Sequence, residues 1–125
     1  MGNGLLMLNT STGNFLIDPG TIVRIEASSN YSKLYFSNGN TLLTAKVLKW
    51  FEERLPQQAF TRLHRSHLVN NGFLRSNQKT ANAFELKNGK IIQVSRRRKK
   101  QVLLKFSLPP ESFSLGKTML LPPAC

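Results

Sequence analysis

The chain has 125 residues, 40% of them hydrophobic, with 18 Lys and Arg against 6 Asp and Glu and a net charge of +12. This length and apolar content suit one domain, with or without a tail, and exclude a wholly disordered protein. No apolar run approaches the roughly 18–20 residues of a membrane-spanning helix. The single cysteine, Cys125, excludes an internal disulfide and a thiolate metal cage. Because the N-terminus lacks the features of a secretory signal, we expect a cytoplasmic protein.

Alternating and turn-bounded segments predict strands in the first third of the chain. Residues 22–26 alternate, with Val23 and Ile25 on one face, which predicts a half-buried strand. The largely apolar segments 33–36 and 41–43 are separated by Asn38-Gly39. Asn-Gly between two apolar runs is a strong hairpin signal, because both residues tolerate positive φ.

One segment, residues 44–55, has a convincing helical pattern. Its apolar stripe consists of Val47, Leu48, Phe51 and Leu55. Thr44 is the expected N-cap, and Pro56 ends the predicted helix. Trp50 lies near this stripe, where partial core packing is favoured over an exposed surface for self-association.

The second half of the chain repeats the hairpin pattern. Asn88-Gly89 separates the strand-like segments 84–87 and 90–94, and a third Asn-Gly pair, at residues 71–72, separates Leu68-Val69 from Phe73-Leu74. Residues 96–105 are consistent either with a short helix or with a loop followed by a last strand. Residues 107–125 contain four prolines and show no periodicity, which predicts a poorly ordered tail.

Positive charge is concentrated in one third of the chain. Residues 62–100 contain eleven basic residues and one acidic residue, Glu85, whereas the flanking parts are nearly neutral. Such a field predicts a polyanionic partner, most simply nucleic acid. The alternative is a solvated basic surface that keeps the protein soluble.

Three polar clusters lie where predicted strands end, at residues 28–33, 62–67 and 95–100. Loops on a rigid sheet commonly carry recognition residues. Arginine can bond a guanine edge in a bidentate manner, while Ser, Asn and Lys can hold phosphate oxygens. Turn chemistry alone also explains Ser and Asn, so the first cluster is ambiguous, whereas five consecutive basic residues in the third favour a ligand.

The residues 60–70, FTRLHRSHLVN, resemble the core signature of the LytTR-type DNA-binding domain. Residues 25–31 and 88–98 resemble two further parts of this family in the same order, and the similarity covers about residues 15–106. It implies a mainly β fold of short antiparallel sheets with one short helix near residues 44–55. The implied domain covers residues 5–106, followed by the tail 107–125.

The family resemblance also implies roles for individual residues. The base-contacting positions correspond to Arg65, Arg97 and Ser32. The phosphate-contacting positions correspond to His64, Ser66, Ser95 and Arg98. Lys33 lies beside Ser32, and we expect it to contact phosphate together with Lys99 and Lys100, because an ammonium matches a guanine edge less well than a guanidinium does. We therefore expect sequence-specific binding of duplex promoter DNA by loops in the major groove, on tandem half-sites and with a possible homodimer. The implied protein is a bacterial transcriptional regulator, either a stand-alone protein or the output domain of a two-component response regulator.

The rival functions have weaker support from the sequence. His64 and His67 are too far from other metal ligands in sequence, and a spacing of three is expected to place them on opposite strand faces. We therefore predict no enzyme activity, metal, cofactor, small-molecule substrate or membrane partner. An RNA-binding β module is the alternative function, but no aromatic ladder supports base stacking. A module that binds an acidic protein is a further alternative.

Overall fold

Nine short strands and two short helices form the described part of the computed structural model, residues 4–75 and 82–106. The strands are β1 Leu6–Thr10, β2 Gly13–Ile17, β3 Ile22–Ser28, β4 Tyr31–Phe36, β5 Thr41–Thr44, β6 Phe60–His64, β7 His67–Asn70, β8 Ala83–Glu85 and β9 Ile91–Gln93. The helices are α1 Leu48–Arg54 and α2 Lys99–Lys105. Three short 3-10 turns occupy Pro19–Thr21, Asn71–Phe73 and Arg96–Arg98. The prediction of a mainly β fold with short antiparallel sheets is confirmed.

The chain divides into two compact units, Met1–Phe73 and Leu74–Cys125. The first unit contains a five-stranded antiparallel sheet in the order β5-β4-β3-β7-β6, together with the separate β1–β2 hairpin. Strand β3 is central, pairing with β4 on one side and β7 on the other.

The core of the first unit lies on one face of the sheet. The sheet contributes the fully buried Ile25 and Leu34, and the β1–β2 hairpin contributes Leu8. Helix α1 adds Leu48 and Phe51, which are buried in the same cluster. Burying a large apolar side chain stabilises a fold by roughly 1.5–3 kcal/mol. The need to bury these side chains therefore determines which face of the sheet points to the core.

Two of the three Asn-Gly turns form the predicted hairpins. Gly39 joins β4 to β5 with φ of 91°, and Gly89 joins β8 to β9 with φ of 93°. Both angles lie in the left-handed region that favours glycine. In each turn the asparagine side chain accepts a hydrogen bond at 2.9 Å from the backbone N–H two residues later. The third pair belongs to the 3-10 turn Asn71–Phe73 and joins no hairpin.

The second unit contains the β8–β9 hairpin and α2. Phe84 and Val102 are buried, and the ring centroids of Phe84 and Phe106 are 5.1 Å apart. Residues 96–105 therefore form a 3-10 turn followed by a helix, which resolves the ambiguity of this segment. The predicted tail 107–125 lies outside the described residues.

The start of α1 differs from the prediction. The helix begins at Leu48 with Val47 as its N-cap residue, and Thr44 is the last residue of β5. Thr44 pairs with Ser32, so the sheet keeps it extended. Val47 is 61% exposed and does not belong to the buried stripe. Trp50 is half-buried and packs against the core, as predicted.

The β1–β2 hairpin was not predicted. Its two strands are joined by a turn at Ser11-Thr12 without an Asn-Gly pair, and Gly13 has φ of 144°. Leu6 and Leu8 are buried, whereas Met7 and its cross-strand partner Leu16 are exposed. The apolar residues on both faces hide the alternation that marks a half-buried strand.

A buried asparagine joins the end of β7 to the start of β3. Nδ2 of Asn70 donates to the carbonyl oxygen of Ile22 at 2.9 Å. The same nitrogen lies 3.5 Å from the carbonyl oxygen of Pro19. Oδ1 of Asn70 accepts from the Gly72 N–H at 2.9 Å. The Asn70 side chain therefore provides hydrogen-bond partners for the carbonyl oxygen of Ile22 at the start of β3 and for the N–H of Gly72 after β7.

We predict that Asn70→Ala lowers the free energy of unfolding by about 1–3 kcal/mol, because it leaves buried backbone groups unsatisfied. Urea denaturation measures this change. Asn38→Ala, which removes one hydrogen bond in an exposed turn, is the control and is expected to cost less than about 1 kcal/mol. Equal losses in the two variants would contradict the role given to Asn70.

Candidate nucleic-acid interface

Two turns that are distant in sequence lie at the same end of the five-stranded sheet. Ser28 of β3 pairs with Tyr31 of β4, and Glu26 of β3 pairs with His67 of β7. The Ala27 N–H donates to the Ser66 carbonyl oxygen at 2.9 Å. The β3–β4 turn and the β6–β7 turn are therefore neighbours, and we call this end of the sheet the two-turn end.

The β3–β4 turn exposes short polar residues. Ser28, Ser29 and Asn30 are exposed, and Ser29 has φ of 56°, a left-handed conformation that non-glycine residues rarely adopt. Such strained residues are often found at functional sites. Tyr31, at the start of β4, is 50% exposed.

The structure places Ser32 in the interior. Its relative exposure is 0%, and its Oγ has no hydrogen-bond partner among the described residues. A hydroxyl in this position cannot reach a base edge while the turn keeps this shape. Lys33, its predicted phosphate-contacting neighbour, is half-buried, with Nζ 5.3 Å from the centroid of the Tyr35 ring.

The β6–β7 turn presents Arg65 to solvent. Arg65 is exposed, while His64, Ser66 and His67 are half-buried. The Ser66 N–H donates to Nδ1 of His64 at 3.1 Å, which closes the turn. The tip of the turn is thus ordered by its own residues and carries one exposed guanidinium.

The two histidines are not on opposite faces of one strand, so that prediction was wrong. His64 ends β6 and His67 begins β7, and a two-residue turn makes them a cross-strand pair. Their ring centroids are 5.6 Å apart. Within residues 4–75 and 82–106, no group of three His, Cys, Asp or Glu side chains is placed to hold a metal ion.

Arg62, which was not among the predicted DNA contacts, holds the backbone of the β6–β7 turn. Its Nε donates to the His64 carbonyl oxygen at 3.0 Å, and its Nη2 donates to that of Arg65 at 2.6 Å. Its Nη1 donates to Oε1 of Glu52 on α1 at 2.9 Å. Nothing in the spacing of Glu52 and Arg62 reveals this pair, because their contact depends on the packing of α1 on the sheet.

A second ion pair lies beside the turns, on β3. Nη1 of Arg24 donates to Oε1 of Glu26 at 2.9 Å, and the Tyr35 hydroxyl donates to the same oxygen at 3.3 Å. Burial by itself would raise the pKa of Glu26. The hydrogen bond and charge of Arg24, with smaller effects from His67 and Tyr35, outweigh burial, so the pKa lies below its usual value. Glu26 is therefore held as a carboxylate beside the β6–β7 turn.

The basic segment of the second unit begins at Ser95. Arg96–Arg98 form a 3-10 turn, and Lys99 and Lys100 open α2. The Arg98 N–H donates to the Ser95 carbonyl oxygen at 3.0 Å. Arg97 and Lys100 are exposed, while Ser95, Arg98 and Lys99 are half-buried. Every predicted contact residue of this segment thus retains some exposure.

The described part of the chain leaves three exposed arginines, Arg65, Arg96 and Arg97, without carboxylate partners. The ion pairs found there join Arg24 to Glu26, Arg54 to Glu53, Arg62 to Glu52 and Arg75 to Glu85. Arg65 and Arg97, the two predicted base-contacting arginines, and their neighbour Arg96 are in none of these pairs. Their charge is therefore uncompensated, as binding to a polyanion requires. No helix among the described residues is both long and apolar enough to cross a membrane.

Comparisons with known proteins agree with this geometry. Residues 12–107 match the family model of the LytTr DNA-binding domain. A matching solved structure is described as the LytTr DNA-binding domain of a methyl-accepting/DNA response regulator from Bacillus cereus. It is 23% identical, the match covers 86% of this chain and 100% of that one, and the TM-score is 0.70, which shows a shared fold. No curated protein matches the chain.

Proposed function

The chain belongs to the LytTR family of DNA-binding domains, and we propose that it binds duplex DNA sequence-specifically through loops in the major groove. In this proposal the β6–β7 turn, the β3–β4 turn and the basic segment at residues 95–100 supply the contacts. The biological role is regulation of transcription in a bacterium. The domain acts either alone or as the output domain of a two-component response regulator.

The observation that carries the proposal is the exposed guanidinium of Arg65 on a turn whose backbone is held in place. The carbonyl oxygens of His64 and Arg65 accept hydrogen bonds from Arg62. A positioned guanidinium can donate two hydrogen bonds to O6 and N7 of guanine in the major groove. Because the backbone of the turn is already ordered before DNA binds, binding costs less conformational entropy, which favours affinity.

We assign base contacts to Arg65 and Arg97, following the family resemblance. Because Ser32 is buried, we propose that the exposed Ser29 and Asn30 take its place in the β3–β4 turn. The phosphate contacts are assigned to Lys33, His64, Ser66, Ser95, Arg98, Lys99 and Lys100. Ammonium and hydroxyl groups suit this role, because phosphate contacts position the protein without reading sequence.

The rest of the proposal concerns the assembly on DNA. We propose that the domain covers residues 5–106 and that residues 107–125 form an extension that DNA binding does not require. Tandem half-sites in a promoter and a homodimer on DNA complete the arrangement. Because the proposed partner is promoter DNA, we propose that the protein acts in the bacterial cytoplasm.

An RNA-binding module is the second candidate, and the aromatic residues argue against it. Base stacking requires an open aromatic face. The guanidinium carbon of Arg24 lies 3.7 Å from the Tyr35 ring centroid, so one face of this ring is occupied. Tyr31 is exposed but stands alone at the turn. The two-turn end thus offers cations rather than a stacking platform.

We predict that the protein binds duplex DNA with a steep salt dependence. Neutralising about five to eight phosphates gives a slope of log K against log salt near −5 to −7. Fluorescence anisotropy with a duplex selected from a random library by the wild-type protein measures this slope. A single-stranded RNA of equal length is the control and is expected to bind more weakly. A flat salt response, or tighter binding to the RNA, would contradict the proposal.

We predict that Arg65→Ala lowers affinity for the selected duplex by about 1–3 kcal/mol and removes discrimination at one base position. Lys100→Ala is the matched control, because it also removes one exposed cation. It should weaken binding to the selected duplex and to a shuffled duplex alike, and lower the salt slope by about one. If Arg65→Ala weakened both duplexes equally, Arg65 would be a phosphate contact and the base-reading role would fall to other residues.

A further inference from the structure

We propose that Arg62 and Glu52 form a clamp that holds the β6–β7 turn in the shape required for base reading. Through this clamp helix α1, which contributes no predicted DNA contact, sets the specificity of the turn. The inference rests on the proposed function, since it assumes that Arg65 on this turn meets DNA. In this account Arg62 is a positioning residue and Glu52 is the anchor that fixes it.

The geometry of Arg62 supports a positioning role. Its three nitrogen atoms each have a protein partner, two of them backbone carbonyl oxygens in the turn and one the Glu52 carboxylate. The two carbonyl groups belong to His64 and Arg65, so the clamp grips the backbone at the residue that is proposed to read a base. A planar guanidinium can serve three acceptors in different directions, which an ammonium does less well.

Arg62 is poorly placed to contact DNA itself. Its side chain is 14% exposed, whereas Arg65, three residues later, is exposed. A phosphate would have to replace hydrogen bonds that Arg62 already makes within the fold. Its charge is also compensated by Glu52, which lies 2.9 Å away. The clamp therefore contributes shape to the two-turn end rather than attraction for DNA.

Glu52 connects the turn to the hydrophobic core. It lies next to Phe51, which is fully buried in the core cluster of the first unit. Packing of α1 thus fixes the position of the Glu52 carboxylate. The carboxylate in turn holds Nη1 of Arg62 in place. Without Glu52, Arg62 keeps its two carbonyl partners but loses the charged group that orients it.

The adjacent carboxylates of α1 give a test in which shape and charge predict opposite results. Glu52→Ala and Glu53→Ala each remove one negative charge from the same helix. Electrostatics alone predicts that both variants bind DNA at least as tightly as the wild-type protein does. Among the described residues the one ion pair of Glu53 is with Arg54, at 3.9 Å on the surface, so Glu53→Ala is the matched control.

We expect Glu52→Ala to lower the ratio of affinities for selected over shuffled duplex by about tenfold, the loss that a charge-assisted hydrogen bond supports. Affinity for the shuffled duplex should stay the same or rise. Glu53→Ala should leave the ratio unchanged. Equal ratios in the two variants would overturn the clamp, as would a uniform loss of affinity on both duplexes.

Arg62→Lys provides a second test that keeps the positive charge. We expect it to lower the same ratio while affinity for the shuffled duplex is retained. An equal loss on both duplexes would instead make Arg62 a direct phosphate contact. Urea denaturation checks that the variant is folded under the conditions of the binding measurement.

Amide hydrogen exchange tests the clamp without DNA. In Arg62→Lys the amides of residues 64–67 should exchange faster, while those of the β4–β5 turn exchange as in the wild-type protein. Unchanged exchange at residues 64–67 would overturn the clamp. If the wild-type protein failed to discriminate between the duplexes, the proposed function would fall, and the exchange result would still decide whether Arg62 orders the turn.

Discussion

The arrangement of the interface depends on the pairing of β3 with a neighbour on each side. At its end, Ala27 pairs with Ser32 of β4 while its N–H donates to the carbonyl oxygen of Ser66. Residues more than thirty positions apart are thereby brought to one end of the sheet. The pairing is held in register by the core-facing Ile25, which is fully buried, because a shift of one residue would turn this side chain to the opposite face.

Charge pairing makes this end of the sheet suitable for a polyanion. Two carboxylates lie near the turns, and each is bound by an arginine, Glu26 by Arg24 and Glu52 by Arg62. Their negative charge is therefore largely compensated, while Arg65 at the tip of the turn is in no ion pair found among the described residues. The same ion pairs that order the sheet and the turn thus leave positive potential where DNA is proposed to bind.

The sequence predicted the family, the fold class and most strands, because local patterns carry that information. The Asn-Gly turns at Gly39 and Gly89 could be predicted from their own residues alone. The positions of Ser32 and Arg62 depend instead on tertiary packing. Ser32 belongs to a polar cluster but lies inside the sheet, and Arg62 looked like one more cation in a basic segment but bonds to α1. The helix start was misplaced because pairing with β4 keeps Thr44 extended, which a helical pattern does not reveal.

The central claim is that exposed turns read bases in the major groove, and methylation interference tests it most directly. Methylation of guanine blocks N7 in the major groove, whereas methylation of adenine blocks N3 in the minor groove. We expect guanine methylation within the selected duplex to exclude DNA from the bound fraction, with one such position insensitive in Arg65→Ala. Interference confined to adenine, or the same pattern in the wild-type protein and Arg65→Ala, would contradict the account.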